Sequence, residues 1–205
     1  MRITHPLLVV VVVGLSIYLA MLWIHDLGAA ARGEEKQKGR LPGAVPCGWP
    51  ATAVAVLGAL VLLGLETVGE YWLDSAAHQT DVTVAYLPLM LAAAFTEELI
   101  FRGYIVITDR GVAALIAGMI GASLLFALLH PYLWSWNGWW VEIELTAGAM
   151  LTTGAVFAKS VWFYVVRFYP LNPTRSLIPC IFAHGAANAG VFIIKALQGH
   201  VVGWM

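Results

Sequence analysis

Long apolar runs separated by short polar segments organise this chain. A bilayer core about 30 Å thick takes about 20 apolar residues per helix, and the first such run is Pro6–Ile24. It has no small-residue cleavage site and reads as a retained span rather than a signal peptide. A polar segment, His25–Pro50, follows with Arg32, Glu34, Glu35, Lys36, Lys38 and Arg40. The pattern then predicts spans over Ala51–Leu65, Val82–Ile107, Gly111–His130, Leu145–Phe168 and Leu177–Leu197. An acidic stretch with Glu66, Glu70, Asp74 and Asp81 separates the second from the third. The third stands apart because Glu97, Glu98 and Arg102 interrupt it. The expected fold is an all-α, polytopic bundle of about six transmembrane helices. Its expected organisation is two N-terminal spans with a charged loop over residues 1–82, a motif-bearing bundle over 83–197 and a short tail over 198–205.

Composition removes the soluble alternatives. Hydrophobic residues make up 60% of the chain and charged residues 11%, against roughly 45–50% and about 25% in a globular protein. That leaves too little polar surface to cover a soluble core. The same figures exclude a disordered chain or a coiled coil. A net charge of −1 argues against nucleic acid as a partner. Cys47 and Cys180 have neither metal-site spacing nor a disulfide framework. The basic residues set a sidedness: Arg32, Lys36, Lys38, Arg40, Arg110, Arg167 and Arg175 fall in loops one, three and five. The other side has Arg2 with Glu66, Glu70, Asp74, Asp81, Glu142 and Glu144. The positive-inside rule then predicts a multi-pass cell-membrane protein with loops one, three and five cytoplasmic and both termini outside. Trp134, Trp136, Trp139 and Trp140 are expected as an interfacial belt just past the fourth span.

Ionisable residues inside a span cost about 2.5–3.5 kcal/mol each on insertion scales, so each needs a partner or a task. Glu98 and Arg102 are four apart with the acid N-terminal, the favoured order for an ion pair on one helix face. Glu97 points about 100° away from Glu98. It is left without a full counter-charge, and such a carboxylate is available as a general base. Two further clusters could face it: Phe126-x-x-x-His130, and His184-x-x-x-Asn188 among the small residues Gly185, Ala186, Ala187, Ala189 and Gly190. Small residues let helices approach closely. Pro179 is expected to bend the sixth helix near His184. Lys159 and Lys195 are expected to snorkel, and His5, His25, His78 and His200 carry no chemical signal. Taken singly, each cluster also reads as packing: an interhelical hydrogen bond at His130, a small-residue face at His184, or a structural ion pair at Glu98.

Together the three motifs, in this order on three helices, resemble those of the CAAX protease and bacteriocin-processing family of intramembrane endopeptidases, which includes the type II CAAX prenyl endopeptidases. The resemblance runs from near Thr83 to Lys195. It implies metal-independent proteolysis with no cofactor, by a water activated by glutamate. By resemblance, Glu97 and His130 would hold and deprotonate that water. His184 and Asn188 would stabilise the oxyanion, Glu98 and Arg102 would brace the site, and Phe126 would pack beside His130. The implied partners are the bilayer and a membrane protein or lipidated peptide as substrate.

Three other readings compete with it. In one, Glu97, His130 and His184 ligate a metal, although no HExxH motif is present. In another, a scaffold or bacteriocin-immunity protein retains the site without turnover. In the third, an acid–histidine chain serves a proton-coupled transporter, against which stands the lack of a duplicated half.

Overall fold

Six α-helices, one π-helical turn and one hairpin make up the regular structure of the described residues. The computed structural model describes residues 6–34, 39–75 and 79–204. Arg2, His5, Glu35, Lys36, Lys38 and His78, which enter the sidedness and loop readings, lie outside the described residues. The helices are α1 (Pro6–Ala31), α2 (Trp49–Trp72), α3 (Tyr86–Glu98), α4 (Gly111–Leu129), α5 (Ala147–Phe168) and α6 (Ile178–Leu197). All except α3 are long and apolar enough to cross a membrane, and the protein is a multi-pass membrane protein.

Small residues decide how close the helices come. α6 packs against α2, α3 and α5, while α5 also packs against α2 and α4. Ala55 and Ala59 of α2 and Ala183 and Ala187 of α6 are buried in one cluster with Phe163, Leu177 and Cys180. Two such alanine pairs at four-residue spacing let the backbones approach. The indole of Trp162 on α5 lies over Gly58 of α2, where any Cβ would collide with it, and donates its N–H to the Ala55 carbonyl at 2.9 Å.

The third element departs from a regular span. Its α-helix is only 13 residues long and continues as a π-helical turn over Leu99–Tyr104. The wider turn frees carbonyls from the helical ladder, and Tyr164 on α5 takes two of them. Its single hydroxyl hydrogen is shared between the Phe101 carbonyl at 2.7 Å and that of Ile105, just past the turn, at 3.1 Å. π turns recur at functional sites for this reason: they redirect side chains and expose backbone acceptors.

Three local expectations are corrected. α2 does not stop near Leu65 but runs to Trp72 and takes in Glu66. The acid is tolerated there because Lys159 of α5 reaches it at 2.6 Å, with the Glu66 side chain buried and that of Lys159 12% exposed. Lys159 is therefore an ion-pair partner and does not snorkel. Pro179 is the second residue of α6, where its missing N–H costs nothing, so it starts the helix instead of bending it.

The tryptophan segment forms a hairpin, β1 (Trp134–Asn137) with β2 (Trp140–Ile143). Gly138 sits at the first turn position with φ 65°, the conformation a two-residue hairpin turn asks of glycine. Directly paired residues share a face. Trp134, Trp136, Val141 and Ile143 therefore make one apolar face, and Ser135 and Glu142 lie on the other.

The opposite end of the bundle is sealed by two loops tied together. Leu177 donates its N–H to the Gly43 carbonyl at 3.0 Å, the Ser176 hydroxyl to Val45 at 2.6 Å and that of Thr174 to Pro46 at 2.8 Å. Asn172, buried, ties the loop to the end of α5, its two amide hydrogens shared among the Val166, Arg167 and Ser176 carbonyls.

The Glu66–Lys159 pair gives a test of the fold. Breaking a buried pair from one side leaves an uncompensated charge, whereas replacing both partners by apolar groups is close to neutral. Glu66→Ala is expected to lower unfolding free energy in detergent by about 3–5 kcal/mol. The double variant Glu66→Met/Lys159→Met should recover most of that loss.

Candidate active site

Three helices and the π turn bring the polar motifs to one place. Glu98 ends α3, and Arg102 lies one turn on, inside the π segment. Arg102 Nη1 donates to Glu98 Oε1 at 3.0 Å, with both side chains fully buried. Arg102 Nη2 donates to the Ser160 carbonyl at 3.0 Å and also to the Ser160 hydroxyl. The guanidinium lies among four aromatic rings, with centroids 4.8 Å (Phe126), 4.9 Å (Tyr164), 5.2 Å (Phe163) and 5.8 Å (Phe101) from Cζ. A cation desolvated by protein is attracted by such faces, which makes up for its Nε having no hydrogen-bond partner.

The same Glu98 oxygen holds a second partner. His184 Nδ1 lies 2.8 Å from Glu98 Oε1. A carboxylate can only accept, so Nδ1 carries the proton and Nε2 points away from Glu98. What Nε2 meets is Glu97, whose Oε2 is 3.7 Å away. Glu97 and Glu98 thus address the two nitrogens of one imidazole from adjacent positions of α3. Phe163 stacks on that ring at 4.9 Å and 22°, and Phe126 meets it edge-on at 6.0 Å.

His130 ends α4, and its ring lies 4.7 Å from that of Phe126. Its Nδ1 is 2.8 Å from the Phe126 carbonyl. A carbonyl accepts, so Nδ1 donates and Nε2 presents a lone pair. Phe126 therefore stands between the two histidines and touches both. Asn188 lies one turn after His184 on α6, and its Nδ2 donates to the Met90 carbonyl at 3.0 Å. One amide hydrogen is spent there and the second remains.

Each residue singled out in the sequence is thus placed. Glu97, Glu98, Arg102 and His184 form one polar cluster, and Phe126 joins it to His130. Asn188 is anchored to α3 at Met90. Among the described residues no three His, Cys, Asp or Glu side chains come together in metal-site geometry. Sequence reasoning missed the contribution of α5, where Ser160, Phe163 and Tyr164 hold Arg102, His184 and the π turn. The available signal was a polar and an aromatic residue four apart in an apolar span, a pattern common enough to pass as packing.

A family model described as type II CAAX prenyl endopeptidase Rce1-like matches residues 79–190, more than half of the chain. The matched stretch includes Glu97, Glu98, Arg102, Phe126, His130, His184 and Asn188. No curated protein and no solved structure matches the chain.

The geometry separates the two adjacent glutamates by what their removal should cost. Arg102→Met strands Glu98 in the core and is expected to destabilise the protein by about 3–5 kcal/mol. Glu97→Gln removes a partly exposed group with no close hydrogen bond and should cost less than about 1 kcal/mol. Thermal or denaturant unfolding in detergent measures both.

Proposed function

The chain belongs to the Rce1-like type II CAAX prenyl endopeptidase family, and on that premise we propose that it hydrolyses a peptide bond with a glutamate-activated water at Glu97. As a member it is a hydrolase of the CAAX-protease type, acting on membrane-associated protein in a lipid environment. The finer assignment of roles rests on the hydrogen-bond directions in the site.

Glu97 is the carboxylate without an arginine, and it is part-exposed while Glu98 is fully buried. A general base must be reachable by water and free to accept a proton, and Glu97 meets both conditions. His130 presents the Nε2 lone pair, so it accepts from the same water and orients it. Water loses one proton to Glu97 as its oxygen bonds to the peptide carbonyl carbon. The negative charge moves to the carbonyl oxygen.

That oxyanion needs donors already in place. His184 supplies Nε2–H in its imidazolium form, while Nδ1–H stays on Glu98. Asn188 supplies its second amide hydrogen. When the tetrahedral centre collapses, the C–N bond breaks and Glu97 returns its proton to the leaving amine. Water has then been added across the bond with no cofactor and no metal. Glu98 and Arg102 do not touch the substrate in this reading; they hold His184.

The observation that carries the proposal is the division between the two glutamates: one locked by Arg102 and His184, the other turned to the open side of the same imidazole. Glu97→Gln is expected to lower cleavage at least about 100-fold, the lower end of what general base catalysis contributes, with the fold intact. The readout is the set of new C-termini in membranes expressing wild type or variant at equal levels. Identical termini from both, with both folded, would favour the scaffold reading. Activity of the wild type is expected to persist in excess chelator, and its loss there would restore the metal reading.

A further inference from the structure

Cations within the bundle are matched to acceptors, with one exception. Among the described residues Arg102 has Glu98, Lys159 has Glu66, Arg40 has Glu34 and Lys195 has the Thr80 carbonyl. Arg167, in the last turn of α5, is 7% exposed, and its guanidinium makes no hydrogen bond. Its Nε and Nη1 are fully buried without a partner, and Nη2 is the nitrogen that keeps accessible surface. No acid pairs with it among the described residues. Glu98, the acid whose charge reaches it, is already held by Arg102 and His184.

A cation at a helix C-terminus ordinarily turns to the last carbonyls. Here they are occupied: that of Val165 accepts from the Tyr169 N–H, and those of Val166 and Arg167 accept from Asn172. Packing fixes the guanidinium where it is. It fills the space over Gly43, where any Cβ would collide with Nη1, and its Cζ lies 6.0 Å from the centroid of the Phe168 ring. The exposed Arg175 stands on the same ring, with Cζ at 5.7 Å, and its side chain has no acid partner either. The two charges repel. A buried charge left uncompensated is strongly unfavourable, so this pair of unmatched guanidiniums is a place for an anion.

Position selects which anion. α5 has 22 residues. At 1.5 Å per residue that is about 33 Å, against a hydrocarbon core of about 30 Å. Its last turn therefore meets a headgroup layer. The guanidinium fork matches phosphate oxygens, and basic pockets between transmembrane helices take anionic lipid headgroups. We propose that Arg167 and Arg175 hold the phosphate of an anionic phospholipid at the end of α5, with Arg167 donating from Nη2.

Thermal unfolding of the whole, delipidated protein in detergent tests this, with native mass spectrometry counting retained lipid. Phosphatidylglycerol at a hundredfold excess over its Kd is expected to raise the midpoint by about 5 °C. Phosphatidylcholine at the same concentration and millimolar inorganic phosphate are not. Arg167→Met is expected to be at least as stable as wild type without lipid, because an apolar group replaces an unmatched charge, and to lose the response. Arg175→Gln, a surface change, should fold as wild type does and bind the lipid about tenfold more weakly, the worth of one charged hydrogen bond. Arg32→Gln removes an exposed cation paired with Glu34 and should leave the response unchanged. No shift in the wild type overturns the proposal, as does an equal shift with inorganic phosphate, which would mark a free-anion site. Equal weakening in Arg32→Gln and Arg175→Gln would mean general surface attraction and overturns it too. So would Arg167→Met unfolding more easily than wild type without lipid, since the protein itself would then be compensating the cation.

Discussion

One carboxylate oxygen organises this protein. Glu98 Oε1 accepts from Arg102 at 3.0 Å and from His184 at 2.8 Å, and so joins α3, the π turn and α6 at a point without accessible surface. A buried carboxylate costs several kcal/mol unless its partners are well placed. Here the placement depends on every neighbouring element. The π turn aims Arg102, α5 receives its other amino group at Ser160, and Phe163 flattens His184 against the acid. The alanines of α2 and α6 let α6 come near enough to deliver the imidazole. Each tight contact elsewhere in the bundle keeps this one in register.

The same constraint divides the chemistry. Because Glu98 fixes the proton on His184 Nδ1, the outward nitrogen is the only one that can change its bonding. Because Phe126 offers a carbonyl to His130 Nδ1, the outward nitrogen there is an acceptor. The two histidines are therefore not equivalent: His184 is backed by a carboxylate, whereas His130 is backed by a backbone carbonyl. A site that must both accept a proton from water and give hydrogen bonds to an oxyanion needs that inequality. Second partners set it up, and the motif residues alone do not.

The intramembrane charges were the most legible part of the sequence. A glutamate four residues before an arginine in an apolar run has few places to go, and the Glu98–Arg102 pair follows from helix geometry. The bundle was equally legible, because twenty-residue apolar runs have few alternatives in a chain this poor in charge. What stayed hidden was set by distant partners. Glu66 read as a loop acid because nothing local announced Lys159, 93 positions away. Pro179 read as a bend because a start at Ile178 and a bend near His184 look alike without the loop that ends at Leu177. The π turn has no sequence signature, since it is held by the Tyr164 hydroxyl from another helix. The hairpin did have one: Gly138 after Asn137 between apolar residues is a turn signal, although the turn forms one residue later than an Asn-Gly pair predicts, with Gly138 first and Asn137 paired to Trp140.

Closure at one end of the site follows from the cost of its own bracing. Arg102 is worth having only if water does not compete for Glu98, and water is excluded only if the region behind Arg102 is filled. Pro42, Leu177 and the Asn172 network fill it, and the missing Cβ atoms of Gly43 and Gly103 let them come close enough. A hydrolytic site must nevertheless admit water, and polar backbone or side chains at membrane depth are tolerated only against protein or a wet cavity. Those demands conflict if they fall on the same side. Sealing the face of the imidazole that carries Glu98 and opening the face that carries Glu97 satisfies both. Two adjacent glutamates on one helix are the shortest stretch of sequence that can supply one carboxylate to each.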